Sequence, residues 1–516
     1  METIQLPQTA SQWLATITAL FLTWAAVTIL YRRNLHALHN VPGPFLPSVT
    51  WLYGYWFNVL GHTGQYFKQI EAMHAVYGPV VRITPNEVHS ADPSDYDKIY
   101  STTSLFKDPA FYGVISIPGS IFTTIPNDLH RKRRAVLNPF FSKKAVVERA
   151  EDVVQAKIDK LCRRIRDNVN HDNVPTDVFL GYRAISIDAV TEVAFDDCWN
   201  LLDDPETGGW FEAMIRQTVG PRFFTLNMFP MLEKPSKAIP MWLAKRMLSM
   251  QAGFAQMRER TERAVQEVQR KVEMRIVPER PTLFHKMLDP DAFEGHVVPS
   301  VDNVVDEAFI ISAAASDTLG NALTVATAHV LSHDEIEARL RKELGDRYPD
   351  PTTRMRFTEL EKLPYLTAVI KEGLRLAYGV IGRLPRRVGK GGLSLQGHFL
   401  PEGTTASMST WMMHRNPDAF PNPDQFDPAR WLDPDPEVVR ARDKCLVPFS
   451  RGQRMCVGIH LAYCMLYLTL ANMFRRFDNL KPYNFGVGDL MFNDGFAASM
   501  PEKPRFKVVA ASGKTG

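Results

Sequence analysis

The chain has 516 residues, is 45% hydrophobic, and carries 60 basic residues against 57 acidic ones, for a formal net charge of +3. So even a balance argues against a nucleic-acid binder, and with no internal repeat or Gly/Ser-rich linker it reads as one large domain behind an N-terminal appendage. Its five cysteines, Cys162, Cys198, Cys445, Cys456 and Cys464, form no CxxC pair and no zinc spacing. That pattern suits a reducing compartment rather than a disulfide framework.

The appendage comes first. Residues 13–31 contain no charge, and at 1.5 Å per residue they would span roughly 28 Å, close to a bilayer's hydrocarbon thickness. A cleaved signal peptide and a buried helix are the competing readings. Against cleavage, Arg32 and Arg33 come after the apolar run instead of preceding it, and the positive-inside rule places Arg32 and the rest of the chain in the cytosol. The expected division is a lumenal 1–12, a membrane helix 13–31, a basic and Pro-rich hinge 32–47, and a folded domain 48–516. The hinge segment Val41-Pro-Gly-Pro-Phe-Leu-Pro47 is too stiff to continue the helix.

Further along, the stretch after Lys107 carries Phe111, Ile115, Ile117 and Phe122. In His130-Arg131-Lys132-Arg133-Arg134, a spacing of four puts His130 and Arg134 on one helical face and leaves Arg131 and Arg133 to point into solvent. Residues 219–247 are rich in Met and aromatics, among them Phe223, Phe224, Met228, Phe229, Met231 and Trp242; such stripes are more often core or membrane contact than pocket lining. A long helix is expected from about Pro299 to Ser332, capped by Ser300, with Asp302 in its positive first turn. Ala308, Ile311, Ala315 and Ala322 form a buried face that something flat could approach. Beside it stand an acid and a hydroxyl, Asp317 and Thr318, whose bland alternatives are a solvated stripe and a Thr bonded back to the preceding turn.

Two charged motifs come next. Glu372-Gly-Leu-Arg375 places carboxylate and guanidinium on one face, a pair worth well under ~1 kcal/mol on a solvated surface. Phe426-Asp-Pro-Ala-Arg430-Trp431 adds a second arginine. Finally, Phe449-Ser-Arg-Gly-Gln-Arg-Met-Cys456-Val-Gly458 sets a cysteine directly before a long apolar helix. Unpaired N–H groups and the positive helix end favour a thiolate there, glycines 452 and 458 allow tight folding around the sulfur, and Arg451 and Arg454 add positive charge. A buried structural cysteine is the alternative for any such residue taken alone.

The pattern Phe-x-x-Gly-x-Arg-x-Cys-x-Gly resembles the haem-binding loop of the cytochrome P-450 family. Glu-x-x-Arg, Pro-x-Arg-aromatic and the acid–hydroxyl helix stand in the family's order, so the resemblance runs from about Pro42 to Val509. It implies a mainly α fold with small β-sheets behind one transmembrane helix, and haem b as cofactor. By the same resemblance Cys456 is the axial iron ligand beside Phe449, and Arg454, His130, Arg134 and Arg383 are the partners of the haem propionates. Glu372, Arg375 and Arg430 would form a buried triad behind the haem, which fixes the loop more than it stabilises, since buried charges are expensive. Asp317 and Thr318 would be the oxygen-activating pair, although Ala315 stands where Gly is common and Leu319 where a second hydroxyl is common. Phe111, Ile115, Ile117, Phe122, Ala314, Val380, Ile381 and Phe496 occupy substrate-pocket positions, and their character implies a bulky apolar substrate.

A thiolate ligand pushes electron density onto haem iron and favours O–O cleavage. The chain has no dinucleotide fingerprint of its own, since Gly486-Val-Gly488 has Met491 where a third glycine would stand. The resemblance therefore implies an NADPH-dependent diflavin reductase as electron source, docked on a basic face, and location in the endoplasmic reticulum membrane. Residues 130–142 resemble the fungal branch that oxidises secondary metabolites, trichodiene oxygenase-like members included. The expectation is hydroxylation or epoxidation of a terpenoid or a polyketide hybrid. Two alternatives stand beside it. One is a haem-thiolate isomerase or dehydratase that does not use dioxygen; the other is a haem sensor or electron carrier, which calls for two axial ligands where one ligand segment is visible.

Overall fold

The helix Val301–Ser332 is the axis of the folded domain, in a computed structural model that describes residues 9–195, 197–232, 249–276, 278–280, 282–292, 296–500 and 504–511. The Ser300 hydroxyl accepts the Asn303 N–H at 3.4 Å and Asp302 sits in the first turn, so one orphan donor and the helix dipole are both served. Helices Val178–Phe195, Pro364–Ala377 and Ile459–Arg476 pack around it. Ile185, Leu323, Leu366 and Leu468 are fully buried among these elements, each worth about 1.5–3 kcal/mol in apolar burial. The helices come close because small residues meet: a Cβ on Gly373 would lie 2.8 Å from that of Ala326.

The β-structure is confined to small sheets, so the fold is mainly α as expected. The largest sheet runs Val80–Thr84, Glu87–Ser90, Thr405–Ser407, Arg386–Val388, Leu105–Lys107. All its neighbours are antiparallel except Glu87–Ser90 with Thr405–Ser407. Its last pairing sets Lys107 opposite Arg386, so the two side chains share a face. A separate hairpin pairs Asn493–Gly495 with Ala497–Ser499. It turns at Phe496, which holds φ at 78°; such a conformation is strained for an aromatic residue, and Asp494 Oδ1 supports it by accepting the Phe496 N–H at 2.9 Å.

The N-terminal helix runs Ala10–Asn34, three residues beyond the expected span at each end. Thr9 and Gln12 form a capping box at its start, Arg32 and Arg33 lie in its last turn, and none of its residues is buried. It is long and apolar enough to cross a membrane. Buried Arg82 ties it to the folded domain, donating to the carbonyls of Arg32 (2.9 Å), Leu38 (3.4 Å) and Pro85 (2.8 Å). Residues 1–8, most of the expected lumenal segment, lie outside the described residues.

Candidate active site

The cysteine loop is held from both sides. Gly452 has φ +70° and its missing Cβ would fall 2.3 Å from the Tyr100 carbonyl oxygen, so no other residue fits. The Cys456 N–H donates to the Phe449 carbonyl at 2.9 Å, while Arg134 donates to the carbonyls of Met455 (2.5 Å) and Gln453 (3.3 Å). The exposed surface of Cys456 opens into a cavity of about 440 Å³ rather than to bulk solvent. Burial therefore pushes its thiol up, against the Gly458 N–H and the Arg134 charge that pull it down. Desolvation thus outweighs the Gly458 N–H and the Arg134 charge, and a bound metal cation would favour the thiolate. Cys464, on the following helix, is fully buried in the core away from this cavity.

Five nitrogen-bearing side chains line the same cavity: Lys107, His130, Arg134, Arg386 and Arg454. Two of them were not singled out from sequence, and one expected residue is absent. Arg383 instead pairs with buried Glu87 at 2.9 Å and braces the large sheet, while Arg386, three positions on, reaches the cavity. The sequence carries no local signal for this choice, which follows from the strand pairing that sets Arg386 opposite Lys107. Arg454 donates to the carbonyls of Thr124 (2.6 Å) and Ile125 (2.8 Å) and to Asn127 Oδ1 (2.8 Å), yet its Nε is buried without a partner. Burial and the neighbouring Arg454, Lys107 and Arg134 push His130 down to about 3, and burial with Arg386, Arg454 and Arg134 pushes Lys107 well below its ordinary value. Arg133, expected in solvent, donates to the Pro118 carbonyl (2.9 Å) and to Thr124 Oγ1 (2.6 Å); Arg131 and Lys132 are exposed.

Asp317 and Thr318 both reach the wall. Thr318 Oγ1 donates back to the Ala314 carbonyl at 2.8 Å, so the back-bonded alternative describes its proton. Asp317 Oδ1 accepts from Arg183 Nε at 2.9 Å, a partner from another helix with no local signal in the sequence. Arg183 also donates to the Phe179 carbonyl (3.1 Å) and to Asn321, whose amide donates to the Ala498 carbonyl at 2.6 Å. The absence of a side chain at Gly320 makes room, since a Cβ there would lie 2.5 Å from Arg183 Cγ.

Of the expected pocket residues, Ile115, Phe122, Ala314, Val380 and Phe496 line the cavity. Ile117 and Ile381 are instead fully buried in the core. Phe111 stands one layer behind, its ring 4.8 Å from Phe223 and 6.2 Å from Phe496. Phe223 joins the wall, Phe224 is buried beside it, Met231 is exposed, and Trp242 lies outside the described residues. Behind the loop, Glu372 Oε1 meets Arg375 Nη2 at 2.8 Å and Arg430 Nε at 2.9 Å, with Glu372 and Arg375 fully buried. Trp431 Nε1 and the Asp427 N–H complete the carboxylate's hydrogen bonds at 2.9 and 3.0 Å, and Arg375 holds the carbonyls of His414 (3.0 Å), Pro423 (2.6 Å) and Gln425 (3.0 Å).

The family model for cytochrome P-450 matches residues 44–506. The chain is 34% identical to the cytochrome P-450 monooxygenase macH of Penicillium terrestre, over 89% of this chain and 90% of that protein. It is 34% identical to the conidiogenone synthase of Penicillium rubens, over 94% and 96%, and 33% identical to the N-acetyltryptophan 6-hydroxylase ivoC of Emericella nidulans, over 90% of each. The chain belongs to the cytochrome P-450 family. It is accordingly a haem-dependent monooxygenase, of a class that binds haem through a thiolate, draws electrons from partner reductases and acts on apolar substrates.

The residues present fit that cofactor. Among the described residues no carboxylate pairs with Lys107, His130, Arg386 or Arg454, although Lys107 and Arg386 are buried and directly opposed. Like charges so placed destabilise a sheet, and a dianionic ligand reverses the sign.

Proposed function

We propose that this chain is a membrane-anchored monooxygenase that inserts oxygen into a C–H or C=C bond of a bulky, mainly apolar natural product in fungal secondary metabolism. The supporting observation is the single cavity wall that brings the Cys456 sulfur, unneutralised cations and an apolar lining together. Haem b, when bound, supplies the dioxygen chemistry. Cys456 would hold its iron through sulfur, and Lys107, His130, Arg134, Arg386 and Arg454 would hold its propionates. Asp317 and Thr318 would hold and pass a proton from their place in the cavity lining, a task for which both must exchange the partners they have here. Such general-acid help is typically worth ~10²- to 10⁴-fold. Phe122, Phe223, Val380 and Phe496 would exclude water and hold the substrate.

Fungal relatives that carry the names conidiogenone synthase and N-acetyltryptophan 6-hydroxylase support a scaffold that serves different substrates. The apolar helix Ala10–Asn34, with Arg32 and Arg33 in its last turn, supports anchoring in the endoplasmic reticulum with the folded domain in the cytosol. Exposed Arg131 and Lys132 support docking of a diflavin reductase by its acidic face. The test of the ligand assignment is Cys456→Ala beside Cys464→Ala. The first should abolish the thiolate-type absorbance of the reduced, CO-treated protein, and the second should keep it. The opposite pattern overturns the assignment.

A further inference from the structure

Eleven and ten residues before Asp317, the central helix carries two adjacent acids that the chemistry above does not use. Asp306 and Glu307 are both buried, at 4% and 3% exposure. Each spends one oxygen on the backbone of the segment that crosses over the cavity. Asp306 Oδ2 accepts the Gly119 N–H at 2.8 Å, and Glu307 Oε2 accepts the Ile121 N–H at 2.6 Å. The segment lies directly against the helix, since a Cβ on Gly119 would fall 2.5 Å from the Asn303 Cα. From the far side, Arg258 pairs with Asp306 Oδ1 at 2.7 Å. Arg133 holds the Pro118 carbonyl and Thr124 hydroxyl of the same segment.

Burying two neighbouring carboxylates is costly. The cost shows at Glu307, whose Oε1 is buried without a partner and whose acid is pushed up to about 7 by burial. A turn that needed only closure could be capped by neutral hydroxyls, as Ser120 and Thr123 already do within it. What the acids add is a fixed distance between the helix and this stretch of wall. The next side chains in line, Ile121 and Phe122, line the cavity.

We propose that Asp306 and Glu307 are specificity-determining positioning residues, which hold the backbone of segment 117–125 and so fix where Ile121 and Phe122 stand against the substrate. The proposal rests on the reading of the cavity as the substrate site. Charge-assisted bonds of this kind are stronger than neutral ones, so removing the acceptor loosens Gly119 and Ile121, while Arg454 still ties the Thr124 and Ile125 carbonyls to the cysteine loop and Lys107 still holds the Phe122 carbonyl.

The experiment uses the full-length, haem-loaded protein and two spectral probes, imidazole, which needs little room, and 4-phenylimidazole, which must pass the wall. Glu307→Leu should raise amide hydrogen exchange in segment 117–125 and change the ratio of the two dissociation constants by about tenfold, the scale of one lost charge-assisted bond. Glu307→Gln, which keeps an acceptor, should change the ratio by less than about threefold; Asp306→Asn should raise exchange at Gly119. The reduced-CO spectrum should be retained throughout. If Glu307→Leu does not fold, the graded exchange of Glu307→Gln and Asp306→Asn decides. Unchanged exchange and an unchanged ratio overturn the proposal. So does an unchanged exchange accompanied by peroxide release in Glu307→Gln, which would make Glu307 a proton carrier. Phe122→Ala separates the two levels: if it leaves the ratio unaltered, the cavity reading itself fails, whereas a change there with none in the acid variants sinks only the positioning role.

Discussion

Replacing Arg183 by leucine removes the counter-charge of Asp317 inside the protein. Arg183 is 3% exposed and Asp317 9%. The substitution deletes the 2.9 Å ion pair, the 3.1 Å bond to the Phe179 carbonyl and the bond to Asn321, and the guanidinium's stacking 3.6 Å above the Phe179 ring. Breaking a buried pair from one side costs about 3–5 kcal/mol, because the remaining charge stays buried and unpaired. Replacing both partners by apolar residues is often nearly neutral, so Arg183→Leu with Asp317→Leu should recover most of the loss. Asn321 Oδ1 remains unpaired in that double variant, at about 1–3 kcal/mol. The assay is urea-induced loss of the reduced-CO absorbance, compared by midpoint across wild type, both single variants and the double. A double variant no more stable than Arg183→Leu would refute the coupling. If Asp317 delivers protons as proposed, Arg183→Leu should also send reducing equivalents to peroxide in place of product.

Lys107→Met should speed haem loss to apomyoglobin by about tenfold or more, the equivalent of one charge-assisted bond of ~1.5–3 kcal/mol, while stabilising the haem-free protein by relieving Arg386; unchanged loss would remove Lys107 from the cofactor site. His130 is held near 3 against an ordinary 6.5, so between those pH values the unfolded chain takes up a proton that the folded chain refuses. The haem-free protein should therefore lose stability as pH falls through that window, by up to ~1.4 kcal/mol per unit. Urea midpoints across pH 3–7 should flatten in His130→Asn and in the haem-loaded protein. Arg131→Glu with Lys132→Glu should slow reductase-supported turnover by about tenfold or more and spare peroxide-driven turnover; equal loss in both would mean that they hold the fold. Arg133 is left alone, because it braces segment 117–125.

What could be read without coordinates is what short-range chemistry dictates. The start of the central helix comes from a serine oxygen three residues before its free N–H group. The long apolar run at the N-terminus is a helix because nothing within it breaks the pattern. The cysteine loop is legible because Gly452, at φ +70°, turns the chain four residues before Cys456 and a long helix starts just after it, and Glu372 with Arg375 because three residues make one helical face. Each signal lies within a few positions of its effect.

The tertiary structure decided everything that depends on which distant segments meet. Arg386 opens a strand while Arg383 lies outside it, bridged to Ser409, so which of them faces the cavity turns on how distant segments pair. Only the pairing of Leu105–Lys107 with Arg386–Val388 settles it. Arg183 joins Asp317 across 134 positions of sequence, and Gly119 and Ile121 reach Asp306 and Glu307 across more than 180; no local propensity records such contacts. The same holds for the wall, where Phe122 and Phe496 face the cavity while the equally apolar Ile117 and Ile381 fill the core. Hydrophobicity drives all four out of water alike, and only packing chooses which of them a ligand can touch.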